Sequence, residues 1–396
     1  PAGAPLETFW RIVAKRSILA TGALERPVAF QNNDRPGIMT AGAVRAYVNR
    51  WNVAPGSTVT VFGNTDNAHR TAADLMAAGV HVAGLIDSRP DARCDLDLPF
   101  YAGSVVTGSE GRKGLEAISI MTPSGVEKIQ TDCLAMSGGW NPSLHLACHM
   151  NGRPQWNDAI AAFVPVPDMV PGVDVAGAAL GTFSTKGAFK SGFYRMKLAL
   201  EDMGLKVPSI AIPKAEDDDY KIKPLWAVAG KGRAWLDFQN DVTVKDIKQA
   251  AQENFRSVEH MKRYTTQGMA TDQGKNSNVG ALAVLADATG RDIAGTGTTT
   301  FRPPYTPVSI AAMGAGAQGT GFAPQRFTTS HTASVEAGAP MIEAGLWYRP
   351  SYYPNAGETN WRQSCDREVN MVRNAVGVVD VSTLGKIDIN GPDAGA

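Results

Sequence analysis

Apolar positions change their period along the chain, and each change marks a predicted element. In "STVTVFGNTDNAHRTAADLMAAGVHVAGLID" a continuous apolar run at 59–62 predicts a buried strand. Ala68, Ala72, Leu75 and Met76 then share one face of a helix that Gly79 ends, and a second apolar run at 82–86 finishes on Asp87. Together they predict a β-α-β unit. Shorter strands are predicted at 18–20 in "RSILATGALERP", stopped by Thr21 and Gly22, and at 134–136 in "CLAMSGGWNPS", followed by Gly138 and Gly139. A strand at 173–176 runs through a small-residue loop into a helix expected to turn Phe189, Phe193, Met196 and Leu200 inward.

The pattern thins at 208–235, where "IPKAEDDDYKIKP" predicts a linker at a domain boundary. Beyond it, Thr243 and Asp246 have capping-box spacing for a helix burying Ile247, Ala250 and Ala251, and Ser257 caps another burying Val258 and Met261. "GTGTTTFRPPYTPVS" reads as a long ordered loop. Aromatics gather from about residue 326 in "GLWYRPSYYP", and a helix bearing Val369, Val372 and Val376 leads into an alternating strand at 386–390. No repeat of solenoid period is present.

Length and composition narrow the classes. A chain of 396 residues exceeds what one core fills, so several domains are expected. Lys plus Arg and Asp plus Glu are equal at 38 each, which gives no net field toward nucleic acid or an anionic membrane. No apolar run approaches the roughly 18–20 residues that span a bilayer. Cys94, Cys133, Cys148 and Cys365 form no CxxC pair, which argues against a disulfide framework or a four-thiolate metal site and predicts a reducing, cytoplasmic location. His145, Cys148 and His149 lie close together in "HLACHM"; without a second ligand cluster they read as partly buried polar residues on a short helix. The chain opens at Pro1 and closes on a strand and turn, which predicts an internal piece of a longer polypeptide.

Three glycine-rich stretches invite a phosphate reading. "GMATDQGKN" (268–276) is not a P-loop, since five residues separate Gly268 from Gly274 and Asn276 follows Lys275. Within the β-α-β unit Gly63 fills the first fingerprint position, but Thr65 and Ala68 fill the second and third, with Asp87 as the acid. A side chain at the second position crowds the pyrophosphate, so a structural module is favoured over a nucleotide site. Gly177, Ala178, Ala179 and Gly181 at the start of a helix offer N–H groups and a dipole to a pyrophosphate, or serve close helix-on-sheet packing equally well. No nucleophile, base or metal set has catalytic spacing.

Longer irregular segments carry a family resemblance. "ILATGALERPVAFQNNDRPGIM", "SGGWNPSLHL", "LDFQNDVTVKDI", "SVEHMKRYTTQGMATDQGKNSN", "GTTTFRPPYTPVS" and "VGVVDVSTLGKIDINGPDA" together resemble the α subunits of heterotetrameric sarcosine oxidases. The resemblance implies an α/β, two-dinucleotide-binding-domain flavoprotein-like fold. A small helical module of 2Fe-2S type without its cluster and the start of an aminomethyltransferase-like α+β domain would follow. The implied boundaries are 1–50 and 131–207 for the first, NAD-holding dinucleotide domain, and 51–130 for a second, degenerate one. They continue with 208–235 as linker, 236–325 as helical module and 326–396 as the folate-type domain.

The resemblance also implies a function: oxidative demethylation of sarcosine to glycine with hydrogen peroxide, and transfer of the one-carbon unit to tetrahydrofolate. FAD would sit in the β subunit, FMN would sit at the α/β interface, and β, γ and δ subunits would be the partners. Ala178, Gly181, Phe183 and Thr185 would reach the NAD, with Ala178 where flavoproteins of this fold carry Asp. Thr298 to Thr300 and Arg302 would touch FMN or form a plain subunit contact. The four thiolate positions of related cluster modules are taken by Asp237, Gln239, Asp272 and Ser277, oxygen groups that do not hold an iron–sulfur cluster. A non-catalytic scaffold for cofactors and an opine or amino-acid dehydrogenase α subunit remain as alternatives.

Overall fold

The apolar runs of the β-α-β unit lie side by side as a parallel sheet in the computed structural model, which describes residues 7–215, 217, 220–321 and 323–395. They divide into a unit of Ile12–Pro307 and a second made of the described residues of Pro1–Arg11 and Val308–Ala396.

In the larger unit, β1 (Ser17–Leu19) and β2 (Ala23–Glu25) precede a five-stranded sheet. Its members are β3 (Ile38–Thr40), β4 (Thr58–Gly63), β5 (His81–Asp87), β6 (Phe100–Ala102) and a late strand, Cys133–Ser137, that is β10 in chain order. All pair in parallel, in the order β3-β10-β4-β5-β6, with Ala135 opposite both Met39 and Val61. Helices α1 (Ala41–Trp51) and α2 (Asp66–Ala77) cover one face, where Val44, Ala72 and Leu75 pack on Val59, Val61, Leu85 and Ala135. An antiparallel meander of β7 (Val105–Glu110), β8 (Ala117–Thr122) and β9 (Gly125–Gln130) covers the other, burying Phe62, Ile86, Leu134 and Met136 against Ile118 and Ile120. Burial of both faces explains why these strands read as continuous apolar runs.

This sheet corrects two expected boundaries. The division at 50/51 and 130/131 assigned 38–50 and 133–137 to the first dinucleotide domain, yet β3, α1 and β10 belong to the same sheet and core as β4. The three-residue β3 carries no period of its own, and only long-range pairing assigns β3 and β10 to this sheet.

The remaining strands of this part are short. Strand β11 (Trp140–Pro142) pairs antiparallel with β2, and α3 (His145–Cys148) follows. After the hairpin of β12 (Gln155–Asn157) and β13 (Ala162–Val164), β14 (Val173–Val175) pairs in parallel with β1. Helix α4 (Thr185–Asp202) buries only Ala199, and Phe189, expected inward, is exposed. Two strands of three residues offer too little surface to cover a row of rings. Residues 222–228 of the predicted linker are tied down as a strap. Lys223 N donates to Asn64 O, Ala29 N donates to Trp226 O, and Val228 N returns to Ala29 O.

The helical module opens with β15 (Trp235–Asp237) and β16 (Val242–Thr243) and continues through α5 (Val244–Gln252), α6 (Val258–Thr265), α7 (Asn278–Thr289) and α8 (Ile293–Thr296). The capping box forms as spaced: Thr243 N donates to Asp246 Oδ2 at 2.7 Å while Thr243 Oγ1 accepts from Asp246 N. Ser257 Oγ accepts from His260 N at 3.2 Å. Ile247, Ala250, Val258 and Met261 are buried. Residues 28–30 join this core to the sheet, since Val28 and Phe30 enter the sheet core and Ala29 the helical one.

The second unit holds α9 (Ile310–Gly314), α10 (His331–Glu336), α11 (Trp361–Asn374) and a small sheet of β17 (Arg326–Phe327), β19 (Trp347–Pro350) and β18 (Met341–Ala344), in that order. The predicted helix is α11, on which Val369 and Val372 are exposed, but two expectations fail: Val376 lies beyond its end, and 386–390 is not a strand. An alternating pattern becomes a strand only where a neighbour takes its N–H and C=O groups, and none among the described residues does so. Among the described residues no helix is long and apolar enough to cross a membrane.

Candidate functional site

The stretch "GMATDQGKN" is a clasp built on left-handed backbone. Gly268 (φ +65), Gln273 (φ 53) and Gly274 (φ +67) fold it back on α7. A Cβ added at Gly268 would lie 2.3 Å from Asn278 Oδ1, and one at Gly274 would lie 2.1 Å away. Both glycines are therefore required by the buried Asn278, whose Nδ2 donates to Gln273 O at 3.0 Å and Thr299 Oγ1 at 3.1 Å.

The four oxygen-bearing positions fasten the same clasp. Asp237 Oδ2 accepts from Gly268 N at 2.7 Å, and its Oδ1 accepts from Gln239 N and Asn240 N. Gln239 Oε1 accepts from Asp272 N at 3.3 Å, and Ser277 Oγ accepts from Gln267 Nε2 at 2.7 Å. Their lone pairs are spent on N–H groups. Hard oxygens so engaged do not fit an iron–sulfur cluster. Lys275 closes the clasp, donating to Tyr305 O at 2.6 Å and Asp272 O at 3.1 Å.

Clasp and sheet enclose a cavity of about 590 Å³ lined by Leu24, Ile38, Met136, Phe238, Lys275 and Tyr305, among others. A second cavity, about 500 Å³, has Cys148, Arg153, Trp156, Phe163, Thr298 and Thr300 in its wall. Of the residues expected near FMN, Thr299 is buried with its hydroxyl taken by Asn278, Thr300 N donates to Glu259 Oε1, and Arg302 is exposed. His145 and Cys148 are buried. Burial, Lys275 and His149 push the His145 imidazole down to about 4, and burial pushes the Cys148 thiol up to about 11. Among the described residues no group of three or more His, Cys, Asp or Glu is placed to hold a metal.

Ala178, Gly181, Phe183 and Thr185 fall together on one turn. Gly177–Leu180 is a short 3-10 helix, Gly181 (φ +87) ends it, and Thr185 is the exposed first residue of α4. A Cβ at Gly181 would meet Ile160 and Val164 at 2.8 Å. Phe183 leans on Tyr220, with ring centroids 4.6 Å apart. Ser184 Oγ accepts from Gly187 N to cap α4 and donates to Asp217 Oδ1 at 2.8 Å, while Lys186 pairs with Asp217 at 3.2 Å. Within the turn Gly177 N donates to Ser191 Oγ, and Gly181 N and Thr182 N donate back to Ala178 O and Gly177 O.

The β4–α2–β5 turn is filled by the chain itself. Arg89 bridges Asp87 at 2.7 Å and Asp66 at 2.6 Å, and its Nη1 donates to Lys221 O in the strap. His69 Nε2 lies 2.8 Å from Asp87 Oδ2. Burial alone would raise the Asp87 carboxyl, but hydrogen bonds from His69 and Arg89 outweigh it and hold it below the ordinary value. The Asp87 carboxylate is thus engaged within the chain, and the strap crosses the helix start at Thr65.

Two buried charged groups carried no signal in the sequence. Arg26 donates to the carbonyls of Gly138 and Ala161 and to Asn141 Oδ1, each at 2.8 Å, with its guanidinium 4.6 Å over the Trp226 ring. Glu25 accepts from Ser137 Oγ and from Gly42 N at the start of α1, each at 2.5 Å. Burial raises its carboxyl to about 7, against those hydrogen bonds.

Comparison with known proteins agrees with this architecture. Residues 231–317 match the family model described as the sarcosine oxidase A3 domain, and residues 330–396 match the GCVT N-terminal domain. The alpha subunit of the sarcosine oxidase from Rhizobium meliloti (strain 1021) is 46% identical over 98% of the chain and 40% of its own length. That of Corynebacterium sp. (strain U-96) is 38% identical over 99% of the chain and 43% of its own length. The chain thus spans about two fifths of these relatives. An opine oxidase subunit of Rhizobium meliloti (strain 1021) is 22% identical over 76% of both chains. Among solved structures, L-proline dehydrogenase from P. horikoshii shares the fold, with a TM-score of 0.59 and 21% identity over 77% of this chain and 59% of that one. Aligned almost end to end at 46% identity with such a subunit, the chain belongs to the sarcosine oxidase α-subunit family.

Proposed function

We propose that the chain is the cofactor-organising part of the α subunit in a multisubunit, flavin-dependent sarcosine oxidase. The alignment with the Rhizobium meliloti subunit over nearly the whole chain carries this reading. The complex would oxidise sarcosine to glycine, reduce oxygen to hydrogen peroxide and pass the one-carbon unit to tetrahydrofolate. FAD and FMN, held mainly in the β subunit or at its interface, would supply the two-electron chemistry, and γ and δ subunits would complete the assembly. The A3 module would derive from a 2Fe-2S type scaffold whose thiolates are replaced by Asp237, Gln239, Asp272 and Ser277. The GCVT-type residues 330–396 would begin the folate domain. Four free cysteines support a cytoplasmic location.

Within this scheme Ala178, Gly181, Phe183 and Thr185 hold NAD. The turn supplies backbone N–H groups at the start of α4, and Gly181 lets it pass against Ile160 and Val164. Gly181→Ala in the full-length complex should lower the NAD recovered by chromatography after denaturation at least tenfold, with the subunits still assembled. Retention of stoichiometric NAD in that variant would overturn the assignment. The oxidase reading is tested separately by sarcosine-dependent oxygen consumption of the assembled complex, which should be absent when this subunit is purified on its own.

A second reading, a scaffold with no chemistry of its own, is supported for this portion by the engaged oxygens of the clasp. An opine dehydrogenase subunit is less supported, since the opine oxidase relatives are about half as identical.

A further inference from the structure

Between the two larger cavities lies a third, of about 30 Å³, whose wall includes Asn141, His145, Lys275, Asn278 and Phe301. It shares Leu24 and Lys275 with the 590 Å³ cavity, and Pro154, Phe163 and Thr298 with the 500 Å³ one. The smallest thus has wall residues in common with each of the larger two, as a neck between them would.

Two side chains in its wall are more than nine-tenths buried and have polar atoms without a partner among the described residues. His145 is 5% exposed and neither ring nitrogen is bonded; Asn141 is 8% exposed and its Nδ2 is unbonded. The orientation of Asn141 is fixed, because its Oδ1 accepts from Arg26 Nη1 at 2.8 Å and a guanidinium only donates. Its amide hydrogens must therefore be satisfied elsewhere. Phe301 at 3.9 Å and Tyr305 at 5.3 Å between ring centroids fix the His145 ring by its faces and edge, which leaves the nitrogens uncommitted. Lys275 is already bonded to two carbonyls. Buried polar groups in native proteins are almost always paired, with ordered water where protein does not reach.

We infer that the small void is a water site held by His145 and Asn141, and that it forms a hydrated neck joining the two larger cavities. The chemistry is complementary. A water accepts from Asn141 Nδ2–H and donates to the ring nitrogen of His145 that carries the lone pair, while a second water accepts from the ring N–H. The void has room for one or two, since a water needs roughly 10–15 Å³ of such volume and two to four polar partners. The depressed basicity of the buried imidazole keeps one nitrogen a lone-pair acceptor at neutral pH.

A high-resolution crystal structure of the full-length subunit in its complex tests this. Solvent peaks should lie within about 3.2 Å of a His145 nitrogen and of Asn141 Nδ2, as part of a file running between the larger cavities. An empty void, or xenon occupying it in pressurised crystals as in a dry apolar cavity, would overturn the inference. His145→Phe keeps the contact with Phe301 but removes both nitrogens. It should lower the melting temperature and break the file of solvent at the neck. A melting temperature unchanged or raised, as expected when an unsatisfied polar ring is replaced in a dry void, counts against the site.

Discussion

Gly274 and Gly290 are both glycines in left-handed conformation, yet they differ in what surrounds them. Gly290 caps α7 with nothing near its Cβ direction, whereas Gly274 faces Asn278 Oδ1 at 2.1 Å. Gly290→Ala should cost roughly 1–2 kcal/mol from backbone strain alone. Gly274→Ala adds a clash with a buried amide and should lose about 3 kcal/mol or more by denaturant titration. Equal losses would mean that Asn278 is not the reason for the glycine. Glu25 gives the pH counterpart. Its carboxyl is raised from 4.5 to about 7, so the folded state holds the proton more tightly than the unfolded chain. Its contribution is complete below pH 4.5 and is lost as pH rises through 7, a decline of about 3 kcal/mol for one group. Glu25→Gln keeps an acceptor for Gly42 N and a donor for Ser137. Its stability should match the parent near pH 4 and exceed it at pH 8, and coincident curves at both would refute the assignment. Neither Glu25 nor Arg26 was legible as buried, because a sequence shows charge but not the long-range contacts that enclose it.

Among the elements, β4, α2 and β5 were legible from their period, and the α5 cap from its spacing. Removing that cap with Thr243→Ala should cost about 1 kcal/mol by thermal denaturation, and no loss would show the capping box to be incidental. The five-stranded sheet was only half legible: β10 reads as a strand at 134–136, but β3 and β6, of three residues each, are too short to carry a pattern and are placed by their partners. Phe189 on α4, exposed while Phe193, Met196 and Leu200 are half-buried, and the unpaired residues 386–390 show the converse, a pattern without a full surface to receive it. The strap over α2 was also hidden, as Pro- and Lys-rich chain reads as linker whether or not its backbone is bonded. It depends on a buried ion pair: Arg89→Met leaves the fully buried Asp87 without its guanidinium and should cost about 3–5 kcal/mol. The same change removes the Arg89 hydrogen bond to Lys221 O, so trypsin should cut faster after Lys221. Unchanged cleavage would show that other contacts hold it.

At the scale of the molecule, two modules that look separable in the sequence share residues. Residues 28–30 send Val28 and Phe30 into one core and Ala29 into the other, and the strap bonds to both sides of Ala29. The candidate NAD turn was found as a cluster because its four residues lie close together in the chain. The cavities were not, because their walls come from segments more than a hundred residues apart. A designer who wished to graft a cluster-bearing helical module from a relative onto this chain would find no clean cut at 235/236. The transplant would have to carry matching residues at 28–30 and 226–228, or each half would arrive with an open flank.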